Sequence, residues 1–304
     1  MRGNKILFID KNIKTDLSNN GFAKINPLSQ DDISVLIALY NNTKSKKSEN
    51  ACLYVSSREC TLETSTQIGN TIKDLLQPYF DTIADNFDLY GGAFLSKPKL
   101  EKNEFSLHQD FTLIDKEKDA MYAIWIALQD TTIDNGCMYL IGKSHTLFEN
   151  YISASYNNHK IHREKISSKH VTAIELKAGE GIIFGDDVFH GSYPNATNNE
   201  RLAVTARITS RDAQFVYHGK ADNNTCIQYK IAPQDLIQYF DEFQKGNIPK
   251  HIPEIKRFPY KHKPITERSL QTALDRATHK DNMTPYRRFT YSIRSYCNKI
   301  LDSF

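Results

Sequence analysis

Long apolar runs are missing from this 304-residue sequence, which excludes a bundle of membrane-spanning helices, since each needs roughly twenty consecutive apolar residues. Near its start only a four-residue apolar stretch, Ile6 to Ile9, lies between charges, shorter than the apolar segment of a secretory signal. Cysteines are few: Cys52, Cys60, Cys137, Cys226 and Cys297 are odd in number, scattered, and form no Cys-x-x-Cys pair. That argues against a disulfide framework or a structural zinc site, and for reduced thiols in a soluble, cytoplasmic protein. A dominant charge is lacking too, the net +3 being too small to call for nucleic acid. No internal repeat and no low-complexity linker interrupts the chain.

What is present fits a folded protein, with 39% hydrophobic residues and enough length for one sizeable core. The first hundred residues read as helical with short interruptions. Ser29-Gln30-Asp31-Asp32 supplies cap residues ahead of Ile33, Leu36, Ile37, Leu39 and Tyr40. A second helix is predicted from about Ser65 to Phe87, where Ile68, Ile72, Leu75, Leu76, Phe80 and Ile83 recur at helical spacing. From about Leu89 the pattern changes to short strands separated by Gly, Pro, Asn and Asp: 90–95, 105–111, 121–128, 137–141, 171–176, 181–185, 188–191 and 201–209. Such a series suggests a sandwich or barrel able to enclose a ligand. Helix returns near 234–245 and 266–278.

Phe105-Ser-Leu-His108-Gln-Asp110 carries the first chemical signal. On a strand, residues i and i+2 share a face, so His108 and Asp110 project together while Gln109 points away. One imidazole and one carboxylate make two thirds of a 2-His-1-carboxylate triad, which binds non-haem Fe(II) and leaves adjacent positions open. With ten histidines in the chain the pattern alone is weak, and His279-Lys-Asp281 repeats it. The downstream half separates them. Asp186-Asp-Val-Phe-His190-Gly-Ser192-Tyr-Pro-Asn195 is followed by Arg201, eleven residues past His190, an offset that no other histidine shares. A guanidinium there could grip the far carboxylate of 2-oxoglutarate in a fork. Nothing comparable follows His279. Arg207, six residues on, has the same strand parity and stands as an alternative anchor.

These residues bring the chain to a known family. The segment Leu95 to Ile208 resembles the phytanoyl-CoA dioxygenase family in Ser96-Lys-Pro98, His108-Gln-Asp110, Trp125-Ile-Ala-Leu128, Asn135-Gly-Cys-Met138, Gly142-Lys-Ser-His145, Gly179-Glu-Gly181 and His190-Gly-Ser-Tyr-Pro-Asn195 with Arg201, in matching order and spacing. Gly21-Phe-Ala-Lys-Ile25 is similar to the family's usual opening, and Lys143 departs from its usual Pro-Gly-Ser-His. The resemblance implies a mainly β fold, a double-stranded β-helix with flanking helices. A single oxygenase domain over 1–304 is then expected, with a helical flank at 1–88, a core with the metal site at 89–210, and a basic helical extension at 211–304. It implies Fe(II) held by His108, Asp110 and His190, with 2-oxoglutarate and O2 as cosubstrates. Arg201 and Ser192 would hold the far carboxylate, Trp125 would lie against the cosubstrate, and Phe105 holds a comparable position. The activity implied is hydroxylation of a small metabolite or biosynthetic intermediate with release of succinate and CO2; desaturation, cyclisation or epimerisation share the same first step. In halogenases of the family a small residue replaces the carboxylate, so Asp110 implies oxygenation.

Other readings stand beside these. A zinc hydrolase would use the same ligands but leave Arg201 unexplained, and an inactive β-barrel binding protein would not need an intact triad. Trp125 could be core alone. His159, His162 and His170 sit among Asn, Lys and Ser as in a solvated loop, His145 suits a structural loop role, and Lys97 could face the site or solvent. Residues 250–304 carry a local charge of +7 interleaved with Phe258, Tyr260, Tyr286, Phe289, Tyr291 and Tyr296. A solvated face over the barrel is the plainer account; recruitment of an anionic or carrier-tethered substrate is the sharper one. Nucleic acid and membrane are not expected partners.

Overall fold

The structure is a computed structural model and describes residues 6–44, 52–156 and 161–281. Along the N-terminal part run β1 (Leu7–Phe8), α1 (Lys11–Asn20), β2 (Phe22–Ile25), α2 (Gln30–Thr43), β3 (Tyr54–Val55), α3 (Ser56–Glu59), α4 (Leu62–Ile83) and β4 (Ala84–Asp85). The core strands are β5 (Phe87–Lys97), β6 (Phe105–His108), β7 (Met121–Ala127), β8 (Met138–Ile141), β9 (Val171–Ile174), β10 (Gly181–Gly185), β11 (His190–Ser192) and β12 (Arg201–Ser210). Beyond them lie β13 (Val216–Lys220), β14 (Thr225–Lys230), α5 (Pro233–Gln238), α6 (Phe240–Gln244), β15 (Glu254–Pro259) and α7 (Glu267–Asp281).

Two antiparallel sheets form the core, one of six strands in the order β2-β10-β7-β12-β5-β3 and one of four in the order β6-β11-β8-β9. This is the double-stranded β-helix with flanking helices that the family resemblance implied. Strand periodicity explains how the six-stranded sheet buries both faces. On β7, Ile124 and Ile126 point outward into a cluster with Ile68, Ile72, Leu76 and Phe80 of α4, while Ala123, Trp125 and Ala127 point inward with Ala203, Ile182 and Phe184. Helix α4 covers most of the predicted 65–87 but ends at Ile83, Phe87 opening β5 instead, and Thr61 caps its start by accepting from Thr64 N–H. Each fully buried Ile, Leu or Phe on its inner face contributes about 1.5–3 kcal/mol. The Ser29–Asp32 capping box of α2 is present, with both reciprocal bonds made.

Three expectations about elements need correction. The flank over 1–88 is not purely helical: β2 pairs with β10 and β3 with β5, so both close the edges of the main sheet. The extension is not purely helical either, because β13, β14 and β15 form a three-stranded antiparallel sheet of their own. Strand β6 stops at His108, short of the predicted 111, and Asp110 is instead pinned by its N–H donating to the carbonyl of Asp186 at 3.0 Å. No helix among the described residues is long and apolar enough to cross a membrane. Of the basic C-terminal segment, Phe258 and Tyr260 turn inward against Tyr151, whereas Arg287, Arg288 and the aromatic residues around them lie outside the described residues.

Candidate metal centre

Register places the first two side chains. Strands β6 and β11 run antiparallel with His190 directly opposite His108, and the two imidazole centroids are 4.2 Å apart. Asp110, two residues past His108, swings its Oδ1 to 3.8 Å from His108 Nε2 and 3.9 Å from His190 Nε2. Among the described residues this is the one cluster of at least three His, Cys, Asp or Glu side chains whose ligand atoms, all within 4.8 Å of one another, could hold a metal ion. Gln109 does point away, donating to the carbonyl of Asp187.

The donor atoms are prepared for a cation. His108 Nδ1 lies 2.8 Å from the Ser106 carbonyl and His190 Nδ1 lies 2.9 Å from the Val188 carbonyl. Only a protonated nitrogen can bond a carbonyl oxygen, so in both rings Nδ1 donates and Nε2 is the nitrogen that faces Asp110. Burial, with the neighbouring His108, pushes His190 down to about 4, which keeps that ring neutral at pH 7. Burial alone would favour a protonated Asp110, but Arg207 and the two imidazoles outweigh it and hold the carboxyl well below its ordinary range. Phe105 packs its ring edge-on against His108 at 4.9 Å, and Phe184 does the same to His190 at 4.7 Å.

Whether the surroundings suit a dianionic cosubstrate is decided by groups that no protein atom satisfies. Arg201 is 1% exposed, and its Nε and Nη1 have no hydrogen-bond partner. Its guanidinium carbon lies 5.3 Å from the ring centre of Trp125, and no described carboxylate pairs with it. Burial lowers it to about 10, still charged at neutral pH. A buried guanidinium with free forks is costly unless an anion completes it. The small inward residues Ala123 and Ala127 share β7 with Trp125, and Ala203 shares β12 with Arg201. Ser192 is buried on β11, and its carbonyl accepts from Lys97. These features fit a carboxylate ligand.

Several residues fall elsewhere. Arg207, the alternative anchor, is instead bound to Asp110, Nη2 to Oδ2 at 2.9 Å. His145 bonds the Ser18 carbonyl and packs against Gly21, away from the cluster. His162 is exposed, His170 is tied to Asp275 of α7 at 3.1 Å, and His159 lies outside the described residues. His279 and Asp281 belong to the last turn of α7 rather than to a strand. Lys97 is the residue that sequence reasoning undervalued. It is fully buried opposite Arg201 in the β5–β12 register, donates to the carbonyls of Ser192 and Tyr193, and is pushed down to about 8 by burial and by Arg201. Its place in Ser96-Lys-Pro98 on an alternating strand was the available signal.

Residues 41–203 match the family model described as phytanoyl-CoA dioxygenase. The chain belongs to the phytanoyl-CoA dioxygenase family. It is 30% identical over 140 residues to the phytanoyl-CoA dioxygenase domain-containing protein 1 homolog of Dictyostelium discoideum, covering 43% of this chain and 50% of that protein. It is 26% identical over 134 residues to phytanoyl-CoA dioxygenase 1 of Oryza sativa subsp. japonica, covering 43% and 46%. The chain thus spans about half the length of the curated relatives it matches. Among solved structures, EvdO2 from Micromonospora carbonacea var. aurantiaca superposes with a TM-score of 0.50 at 15% identity, over 69% of this chain and 94% of that one, a likeness of fold. The matched segment of the phytanoyl-CoA dioxygenase model includes all three clustered residues and Arg201.

Proposed function

We propose that this chain is an Fe(II)- and 2-oxoglutarate-dependent dioxygenase that hydroxylates a small molecule in the cytoplasm. The observation that carries the reading is Arg201, a fully buried guanidinium with two unpartnered nitrogens, on the same barrel as the His108–Asp110–His190 cluster. A zinc hydrolase needs the cluster but gives Arg201 no task. Membership of the family supports the iron reading, and the four described cysteines, all free, suit a reducing compartment.

In this reading His108 Nε2, Asp110 Oδ1 and His190 Nε2 hold the metal, and the Nδ1–H bonds to Ser106 and Val188 carbonyls fix both ring orientations. Bound there, ferrous iron would supply the oxidising chemistry, O2 being consumed as 2-oxoglutarate is converted to succinate and CO2. Arg201 would take the far carboxylate of 2-oxoglutarate through its two unpartnered nitrogens, near the face of Trp125, with buried Ser192 as a further donor to it. Burial of His190, Ser192 and Arg201 keeps bulk water from competing for those contacts. Desaturation, cyclisation or epimerisation would use the same residues.

The test is anaerobic addition of Fe(II) and 2-oxoglutarate to the purified protein, read by the weak visible charge-transfer band of the chelate. The band is expected in the wild type and absent from His108→Ala and His190→Ala. A wild-type band in both variants would end the assignment.

A further inference from the structure

Asp110 uses its two oxygens differently. Oδ1 faces both imidazoles, at 3.8 and 3.9 Å, whereas Oδ2 is taken by Arg207 Nη2 at 2.9 Å. Arg207 reaches this position from the same inward line of β12 as Arg201 and Ala203. On one side it pairs with Ala123 of β7, whose small side chain leaves room for the guanidinium. On the other it pairs with Tyr90 of β5, just past a bulge where one residue of β12, Ala206, opposes two of β5. Gly91 and Gly92 supply that bulge at φ +63° and +145°, conformations that side chains disfavour. The two arginines of β12 therefore have different partners: Arg201 has no protein anion, and Arg207 has the carboxylate of a candidate metal ligand.

We propose that Arg207 is a positioning residue that restricts Asp110 to one-oxygen ligation of the metal, an inference that rests on reading His108, Asp110 and His190 as ligands. A carboxylate can bind a cation through one oxygen or two, and the second oxygen would occupy a position that the facial triad leaves open. For Oδ2 to turn to the metal it must leave Arg207, breaking a charge-assisted bond. Arg207 would then be left stranded: its Nη1 is already buried without a partner, and its side chain is only 27% exposed. The Asp110 N–H bond to the Asp186 carbonyl fixes the backbone, so Arg207 sets the remaining freedom, rotation of the carboxylate itself. Lysine could neutralise Oδ2, whereas methionine of similar length could not.

The experiment loads wild type, Arg207→Met and Arg207→Lys with Co(II), whose visible absorption changes with the number of ligand atoms, and then titrates 2-oxoglutarate. Arg207→Met is expected to alter the Co(II) spectrum and to weaken 2-oxoglutarate at least about tenfold, because an open position is filled. Cobalt affinity should hold or rise, since the metal gains a donor. Arg207→Lys should restore the wild-type spectrum, a rescue that a packing role would not give. If Arg207→Met does not fold, Arg207→Gln is measured in the same way. A wild-type spectrum and unchanged 2-oxoglutarate affinity in the variant that lacks the cation would overturn the proposal. Equal cobalt binding by wild type and by the double variant His108→Ala with His190→Ala would instead overturn the ligand assignment beneath it.

Discussion

Lys97 and Arg201 stand directly opposite each other in the register of β5 and β12, both buried, and among the described residues neither has a carboxylate within ion-pair distance. Two adjacent buried cations are unfavourable unless a dianion is meant to sit with them. Arg201→Met is therefore expected to raise the melting temperature of the protein without cosubstrate while weakening 2-oxoglutarate. The weakening should be about 1.5–3 kcal/mol, the worth of a charge-assisted bond. Calorimetry and 2-oxoglutarate titration measure the two effects separately. A variant that loses stability yet keeps its affinity would mean that Arg201 is structural.

The same pair predicts a pH effect. Burial and Arg201 bring Lys97 down to about 8 from the 10.5 of an exposed lysine. Between those values the unfolded chain holds a proton that the folded protein has released, so stability without cosubstrate should rise as pH increases through that window. Below pH 8 the ammonium is charged in both states and its burial costs stability in full. A dianion bound beside Lys97 would favour the charged form, so the melting-temperature gain from 2-oxoglutarate should be larger at pH 7 than at pH 9. Thermal melts at both pH values, with and without 2-oxoglutarate, check this; Lys97→Met should flatten the difference.

Asp110 bears on the outcome of the reaction. Its carboxylate fills the position next to both imidazoles and is anchored from behind by Arg207. Once a substrate is found, excess chloride should leave products oxygenated or desaturated and never chlorinated, as mass spectrometry would show. Asp110→Gly should largely abolish turnover with or without chloride, because it removes a proposed ligand and also strands the Arg207 guanidinium. A chlorinated wild-type product would contradict this.

How much of this was legible in the sequence depended on distance along the chain. His108 and Asp110 are local, and strand parity brought them together even though β6 ends before Asp110. His190 was marked by its offset to Arg201, and the structure sets it opposite His108. Parity could not choose between Arg201 and Arg207, which share a face of β12; the choice turns on which one has a protein carboxylate. Lys97 was marked only by its place in Ser96-Lys-Pro98; its closeness to Arg201, 104 residues away, is revealed by the β5–β12 pairing alone. Strand β15 escaped because five of its six residues are exposed, so no apolar alternation marks it. β13 escaped because four consecutive residues are buried, which hides the period of two.

Gly191 offers a test of how tightly the strand pairing holds the metal centre. It lies between His190 and Ser192 on β11, paired with Tyr139 of β8. A Cβ built there would press against the carbonyl oxygen of Phe105 and the hydroxyl of Tyr139, a group that itself donates to that carbonyl at 3.2 Å. Neither neighbour can yield cheaply, since one is backbone of β6 and the other is a fully buried ring. Gly191→Ala should therefore push β11 away from β6 and cost about 1–3 kcal/mol by overpacking. The same displacement would separate His190 from His108, whose rings are held 4.2 Å apart by that pairing. Metal affinity should consequently fall more than in Gly142→Ala, where the nearest atoms to a new Cβ are 3.8 Å away. Metal titration of both variants, beside their melting temperatures, decides the matter. Equal metal affinity in the two would show that the histidines keep their places without the close β6–β11 contact.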